Sequence, residues 1–160
     1  MKKAYLFFSL FLLHFMALGQ IEPYSKIISP DNDFGLTGFT SCKLQDQGIA
    51  TAGQRNGLAS FIIKTSNTGN VIWAKQFGLD QSYNVQVIHD IIPTADSGVL
   101  AVGRFVNYPL FYGFNAKINK YGDIQWIKIN NLSGLQSAFQ TSDNGYILTG
   151  HNKYLDEGYL

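Results

Sequence analysis

Apolar and polar residues along this chain fall into short runs that Asp, Asn and Gly cut at even intervals. Ile49-Ala50-Thr51-Ala52-Gly53, Phe61-Ile62-Ile63-Lys64 and Val71-Ile72-Trp73-Ala74-Lys75 are rich in β-branched and aromatic residues. Such runs, bounded by turn residues, predict strands joined by hairpins. Four strands are expected over Phe39–Leu44, Ile49–Gln54, Ser60–Thr65 and Val71–Phe77, with turns at Gln45–Gly48, Arg55–Gly57 and Asn67–Asn70. A second group is expected over Val87–Pro93, Val99–Arg104, Tyr112–Asn119 and Ile124–Asn130. No segment shows apolar residues at helical spacing between caps, so helix content should be minimal.

The pattern repeats. Gln45-Asp46-Gln47-Gly48-Ile49-Ala50-Thr51-Ala52-Gly53 returns as Ala95-Asp96-Ser97-Gly98-Val99-Leu100-Ala101-Val102-Gly103 and as Ser142-Asp143-Asn144-Gly145-Tyr146-Ile147-Leu148-Thr149-Gly150. Asp46, Asp96 and Asp143 step by 50 and then 47, and Lys64 and Trp73 return 53 residues on as Lys117 and Trp126. Short all-β units at this period predict β-propeller blades. The expected fold is therefore all-β, with antiparallel four-stranded blades covering 39–77, 87–130 and an incomplete 137–160, in an open arc. Tyr24-Ser25-Lys26-Ile27-Ile28, within a lead-in over 20–38, resembles a fourth strand that would complete a last blade. Gly after Asp-x is expected to supply the positive φ of each turn, while Asp bonds the backbone two residues on. Trp73 and Trp126 should be equivalent and largely buried between sheets. About two and a half blades leave sheet faces and edges open, which predicts an incomplete folding unit that self-associates.

Composition adds a compartment. Lys2 and Lys3, the apolar run Leu6–Leu13 and the small residues Ala17-Leu18-Gly19 form a secretory signal, with cleavage expected after Gly19. The apolar run is shorter than the ~20 residues that span a bilayer. Loss of 1–19 leaves ten basic against eleven acidic residues, so charge gives no case for nucleic acid or an anionic membrane. Cys42 is the only cysteine, which excludes an intrachain disulfide and suggests a small apolar residue on an inner strand face.

Thr141-Ser142-Asp143-Asn144-Gly145-Tyr146-Ile147-Leu148-Thr149-Gly150, Phe61-Ile62-Ile63-Lys64 and Thr68-Gly69-Asn70-Val71-Ile72-Trp73-Ala74-Lys75 resemble the motifs of secreted β-propeller-like repeat proteins of Bacteroidetes. The resemblance covers nearly all of the chain after residue 19. It implies a truncated member of that group, exported and acting at or outside the cell surface in a non-catalytic binding or structural role. Thr68-Gly69-x-x-x-Trp73 also resembles the tryptophan-docking repeat of quinoprotein dehydrogenases, in which the Trp is structural. Asn67-x-Gly69 loosely resembles the Asp-box of sialidases, with Trp73 one residue too far. The alternative they leave open is a fragment of a propeller-scaffold enzyme, a quinone-dependent dehydrogenase or a glycosidase.

Individual candidates for chemistry are few. Asp31-Asn32-Asp33-Phe34-Gly35 alternates oxygen ligands, but an EF-hand would place its Gly one residue later and a Glu where Cys42 stands, so a surface turn is expected. His89-Asp90 is the one His–acid neighbour pair after residue 19, and strand alternation should turn the two apart. His151 is expected on an exposed strand or loop, and the three recurring Asp residues are expected to form turns. Tyr108, Phe111 and Tyr112 cluster in one loop, where they would grip a sugar or a protein partner or fold back over their own sheet. No catalytic, cofactor or metal-ligating residues are assigned. The expected partner is a protein or glycan of unspecified identity.

Overall fold

The computed structural model describes residues 36–55, 59–77, 85–107 and 110–151. The expected leader over 1–19, the expected strand at Tyr24–Ile28, the expected turn at Asp31–Gly35, Asn56-Gly57, Tyr108 and the last part of the expected third repeat lie outside the described residues. Ten strands and no helix make up the described elements. Sheet 1 contains β1 (Leu36–Lys43), β2 (Ile49–Arg55), β3 (Ala59–Thr65) and β4 (Val71–Phe77). Sheet 2 contains β5 (Val85–Pro93), β6 (Val99–Asn107), β7 (Leu110–Ile118) and β8 (Ile124–Asn130). Sheet 3 pairs β9 (Gly134–Gln140) with β10 (Tyr146–His151), and all pairings are antiparallel meanders.

The third repeat thus begins at Gly134, three residues before the expected start. The sheets stack face to face. The first strand of each packs across its predecessor: β5 lies against β1, β2 and β3, and β9 against β5, β6 and β7. Strand alternation divides the core accordingly. Val99, Ala101 and Phe105 of β6 face sheet 1 beside Ala50, Ala52 and Ile62, whereas Leu100 and Val102 join Leu135 under sheet 3. Sheet 2 is buried on both sides. Cys42 packs half-buried against the first of these clusters, and burial, with the Asp90 charge beside it, pushes its thiol up to about 12.

Each first strand carries a β-bulge at one repeat position. Register slips between Gly38 and Thr40, between Ile88 and Asp90, and on β9 between Leu135 and Ser137. The bulged residues are therefore Phe39, His89 and Gln136. Opposite each stands the second motif glycine, Gly53, Gly103 or Gly150. A Cβ there would overlap a carbonyl oxygen of the bulged strand, that of Thr37, Val87 or Gly134. The glycine is required by closeness of backbones, and the bulge bends the strand that must cross its neighbour.

The turn glycines correct the sequence expectation. Positive φ falls on Gln47, Ser97 and Asn144 at 66°, 63° and 64°, the residues before Gly48, Gly98 and Gly145. Three identical turns result, in which the residue at positive φ donates its amide to the carbonyl of Leu44, Thr94 or Thr141. Gly48 and Gly98 are needed because a Cβ would strike the Thr65 or Ile118 carbonyl of the third strand. Gly69 and Gly122, in the turns between third and fourth strands, do carry positive φ, at 76° and 89°. An opposite response at adjacent positions follows. Ser97→Gly removes left-handed strain and should raise stability by about 1 kcal/mol. Gly98→Ala should cost about 1–3 kcal/mol through overpacking. Urea midpoints decide it, and a stabilising Gly98→Ala would contradict the account.

Candidate functional site

The recurring Asp residues do form the turns, through the Gly48, Gly98 and Gly145 amides that donate to Asp46, Asp96 and Asp143. They also meet the recurring lysines. Lys64 donates to Asp46 at 2.5 Å and Lys117 to both oxygens of Asp96 at 2.9 and 2.8 Å. Lys64 and Lys117 are buried, with 3% and 7% of the side chain exposed, so their ammonium groups need these partners. The Lys64 bond holds Asp46 below its ordinary range. Burial pushes Asp96 up, but bonds from Lys117, Thr94 and the Gly98 amide outweigh it and bring the carboxyl to about 2. Asp143 is lowered by the Thr141 hydroxyl and then the Gly145 amide. Each pair staples the turn between the first two strands to the third.

Trp73 and Trp126 are equivalent in register, opposite Lys64 and Lys117. Both are half-buried rather than enclosed between sheets. Trp73 leans on the next sheet's turn, donating from Nε1 to the Lys120 carbonyl at 3.0 Å, with its ring against Gly122. Trp126 meets Tyr146 of sheet 3 at 6.2 Å between centroids. An apolar cleft of about 260 Å³ runs beside Trp73, between Ile62, Ile118 and Ile124. Its wall is the contact between sheets, and its polar groups are confined to Lys75, Gln76 and Asp123 among side chains.

A different surface gathers the side chains that vary between repeats. Asp90 accepts from the Thr40 hydroxyl at 3.3 Å, the Ser137 hydroxyl at 2.9 Å and the Ala138 amide at 3.3 Å. Thr40, Asp90 and Ser137 are the same repeat position, so one carboxylate ties three first strands together. His89, on the bulge, shares a hydrogen bond of 2.7 Å with the Leu135 carbonyl, and its Nδ1 therefore donates. His89 and Asp90 both meet β9, His89 at the Leu135 carbonyl and Asp90 at Ser137 and Ala138, because the bulge at residue 89 interrupts the simple alternation expected of the pair. Burial holds His89 below its ordinary range, with the Arg104 and His151 charges acting the same way against the Leu135 bond.

The rings of His89 and His151 and the Cβ of Arg104 come together at Gly134, where an added Cβ would meet them at 3.3–3.7 Å. Gln136 reaches Nδ1 of the exposed His151 at 3.4 Å. The Arg104 guanidinium lies 5.9 Å from the Phe111 centroid, and its buried Nε has no hydrogen-bond partner. Phe111 and Tyr112 turn toward their own sheet, Tyr112 stacking on Phe105 at 5.1 Å. Sequence reading missed Arg104 and the approach of His151, since strict alternation cannot show a bulge. Among the described residues no group of three or more His, Cys, Asp or Glu could hold a metal. No protein-family model matches the chain, and no curated protein matches it.

The buried cation and the half-exposed carboxylate should respond unequally to removal. Asp96→Asn strands the Lys117 ammonium and should cost about 2–3 kcal/mol, while Lys117→Met should be nearly neutral. Because Asp96 lies below its ordinary 3.8, its contribution is full above about pH 4 and is lost as pH falls toward 2. Urea unfolding of the wild type should steepen against pH in that window, and Asp96→Asn should flatten it. An unchanged slope would contradict the staple.

Proposed function

We propose that the chain is part of an exported β-propeller-like repeat protein with a non-catalytic binding or structural role at or outside the cell surface. The observation that supports this most is where the recurring polar residues are engaged. Asp46 and Asp96 are paired with Lys64 and Lys117, Asp143 with Thr141, and Thr40, Asp90 and Ser137 with each other. The repeated chemistry is spent on holding the fold. The leader over 1–19 supports export.

In this reading the sheets are blades. Three cross-strand pairs at one repeat position support it: Cys42 with Ala50, Ile92 with Leu100, and Phe139 with Ile147. The first two pairs pack in the cores under the following sheet. Phe139 and Ile147 are 68% and 58% exposed. They carry the same apolar pattern with no covering sheet among the described residues, and a further sheet of the same kind fits them. For the chain alone, a second copy supplies that sheet.

Sedimentation of the purified chain lacking residues 1–19 tests the proposal. It should self-associate at micromolar concentration, and Phe139→Lys with Ile147→Lys should restore the monomer. A monomeric wild type, or an oligomer indifferent to both lysines, would overturn the blade reading. Turnover of a glycoside or a quinone-linked dye by the same sample would overturn the non-catalytic one.

A further inference from the structure

The repeat separates positions that hold the fold from positions free to differ. Two sets that differ in chemistry lie together at one end of the sheets. On the second strands the equivalent residues are Gln54, Arg104 and His151, and on the bulges they are Phe39, His89 and Gln136. Between sheets 2 and 3 these substitutions bring Arg104, His89 and His151 around Gly134. None of the three forms an ion pair with a carboxylate among the described residues, where the ion pairs are Lys64–Asp46 and Lys117–Asp96. Asp90, the neighbouring acid, is already bonded to Thr40, Ser137 and the Ala138 amide.

Among the described residues none of these three groups has a carboxylate partner, the charges of Arg104 and His151 reach His89, and a buried donor of Arg104 is unspent. The Arg104 Nε is out of contact with solvent and without a hydrogen-bond acceptor, a costly state for a guanidinium. An acceptor bound between the sheets would satisfy it, and a planar carboxylate matches the guanidinium edge. The surroundings favour one negative charge over two. Arg104 is the single permanent cation, Leu132 and Leu135 stand close by in the apolar core, and Phe111 covers the guanidinium on one side.

We propose that Arg104 and His151 form a binding site for a carboxylate group, seated beside His89 where the bulge of β5 faces the Gly134 end of sheet 3. Arg104 supplies the charge-assisted hydrogen bonds. His151, exposed at the mouth, adds a second donor, and Gln136 orients its ring. The same chemistry could be carried by a small free carboxylate or by a uronic acid residue of a glycan. The site depends on the bulges and the stacking of sheets 2 and 3, and it stands or falls independently of export and of self-association.

Binding is read from the ring-proton resonances of His89 and His151 in the chain lacking residues 1–19. Acetate, galacturonate and inorganic sulfate are the probes, each titrated to about 10 mM, the range in which a single charge-assisted contact binds. Saturable shifts of both histidines are expected with a carboxylate. A response to acetate and galacturonate alike identifies a small-carboxylate site, and a response to galacturonate alone identifies a carboxylated sugar. Arg104→Gln should weaken binding about tenfold or more, and the exposed His151→Gln should weaken it severalfold with the fold intact by circular dichroism. No saturable shift with either carboxylate, binding of sulfate as tight as that of carboxylate, or full binding by His151→Gln and Arg104→Gln would overturn the proposal. If Arg104→Gln fails to fold, the wild-type titrations and His151→Gln decide the question.

Discussion

The close approach of two backbones at the β-bulge governs the rest of this structure. Gly53, Gly103 and Gly150 allow it, because any side chain there would overlap a carbonyl of the bulged strand. With the extra residue at 39, 89 or 136, each first strand bends and twists enough to cross its predecessor. That crossing buries sheet 2 on both faces. It also aligns Thr40, Asp90 and Ser137, so the three first strands share one carboxylate. The Asp–Lys staples then hold each hairpin to its third strand, and the Trp rings lean on the following sheet.

The same bulge produces a surface that differs from repeat to repeat. A regular strand would direct residue 89 by simple alternation. The inserted residue instead sends His89 to the Leu135 carbonyl, beside Arg104 and His151. Architecture and candidate site therefore share a cause. The scaffold fixes where a variable side chain stands, and the local sequence decides what it is.

Much of the fold was legible in the residues. Period-2 alternation and Asx-Gly turns located the strands, and the 50- and 47-residue steps announced equivalent units. Asp-x-Gly was readable as a turn. Which residue takes positive φ was not, because that depends on the third-strand carbonyl packed behind Gly48 and Gly98. Trp73 and Trp126 were rightly equated, but their half-burial reflects docking on a neighbouring turn or ring rather than enclosure. Recurrence of Lys64 and Lys117 was visible, yet their pairing with Asp46 and Asp96 spans hairpins and needed the register. The His89 cluster was illegible for a simpler reason. A bulge leaves no mark in the hydrophobic pattern, and the residues it gathers are far apart in sequence.

The register around His89 tests this account most directly. Backbone nuclear Overhauser contacts between β5 and β6 should pair Ile88 with Gly103 and Asp90 with Val102, leaving His89 without a partner of its own. Unbroken pairing, with His89 opposite Val102 and Asp90 opposite Ala101, would contradict it, since the strand crossing, the shared carboxylate and the histidine–arginine cluster all require the extra residue.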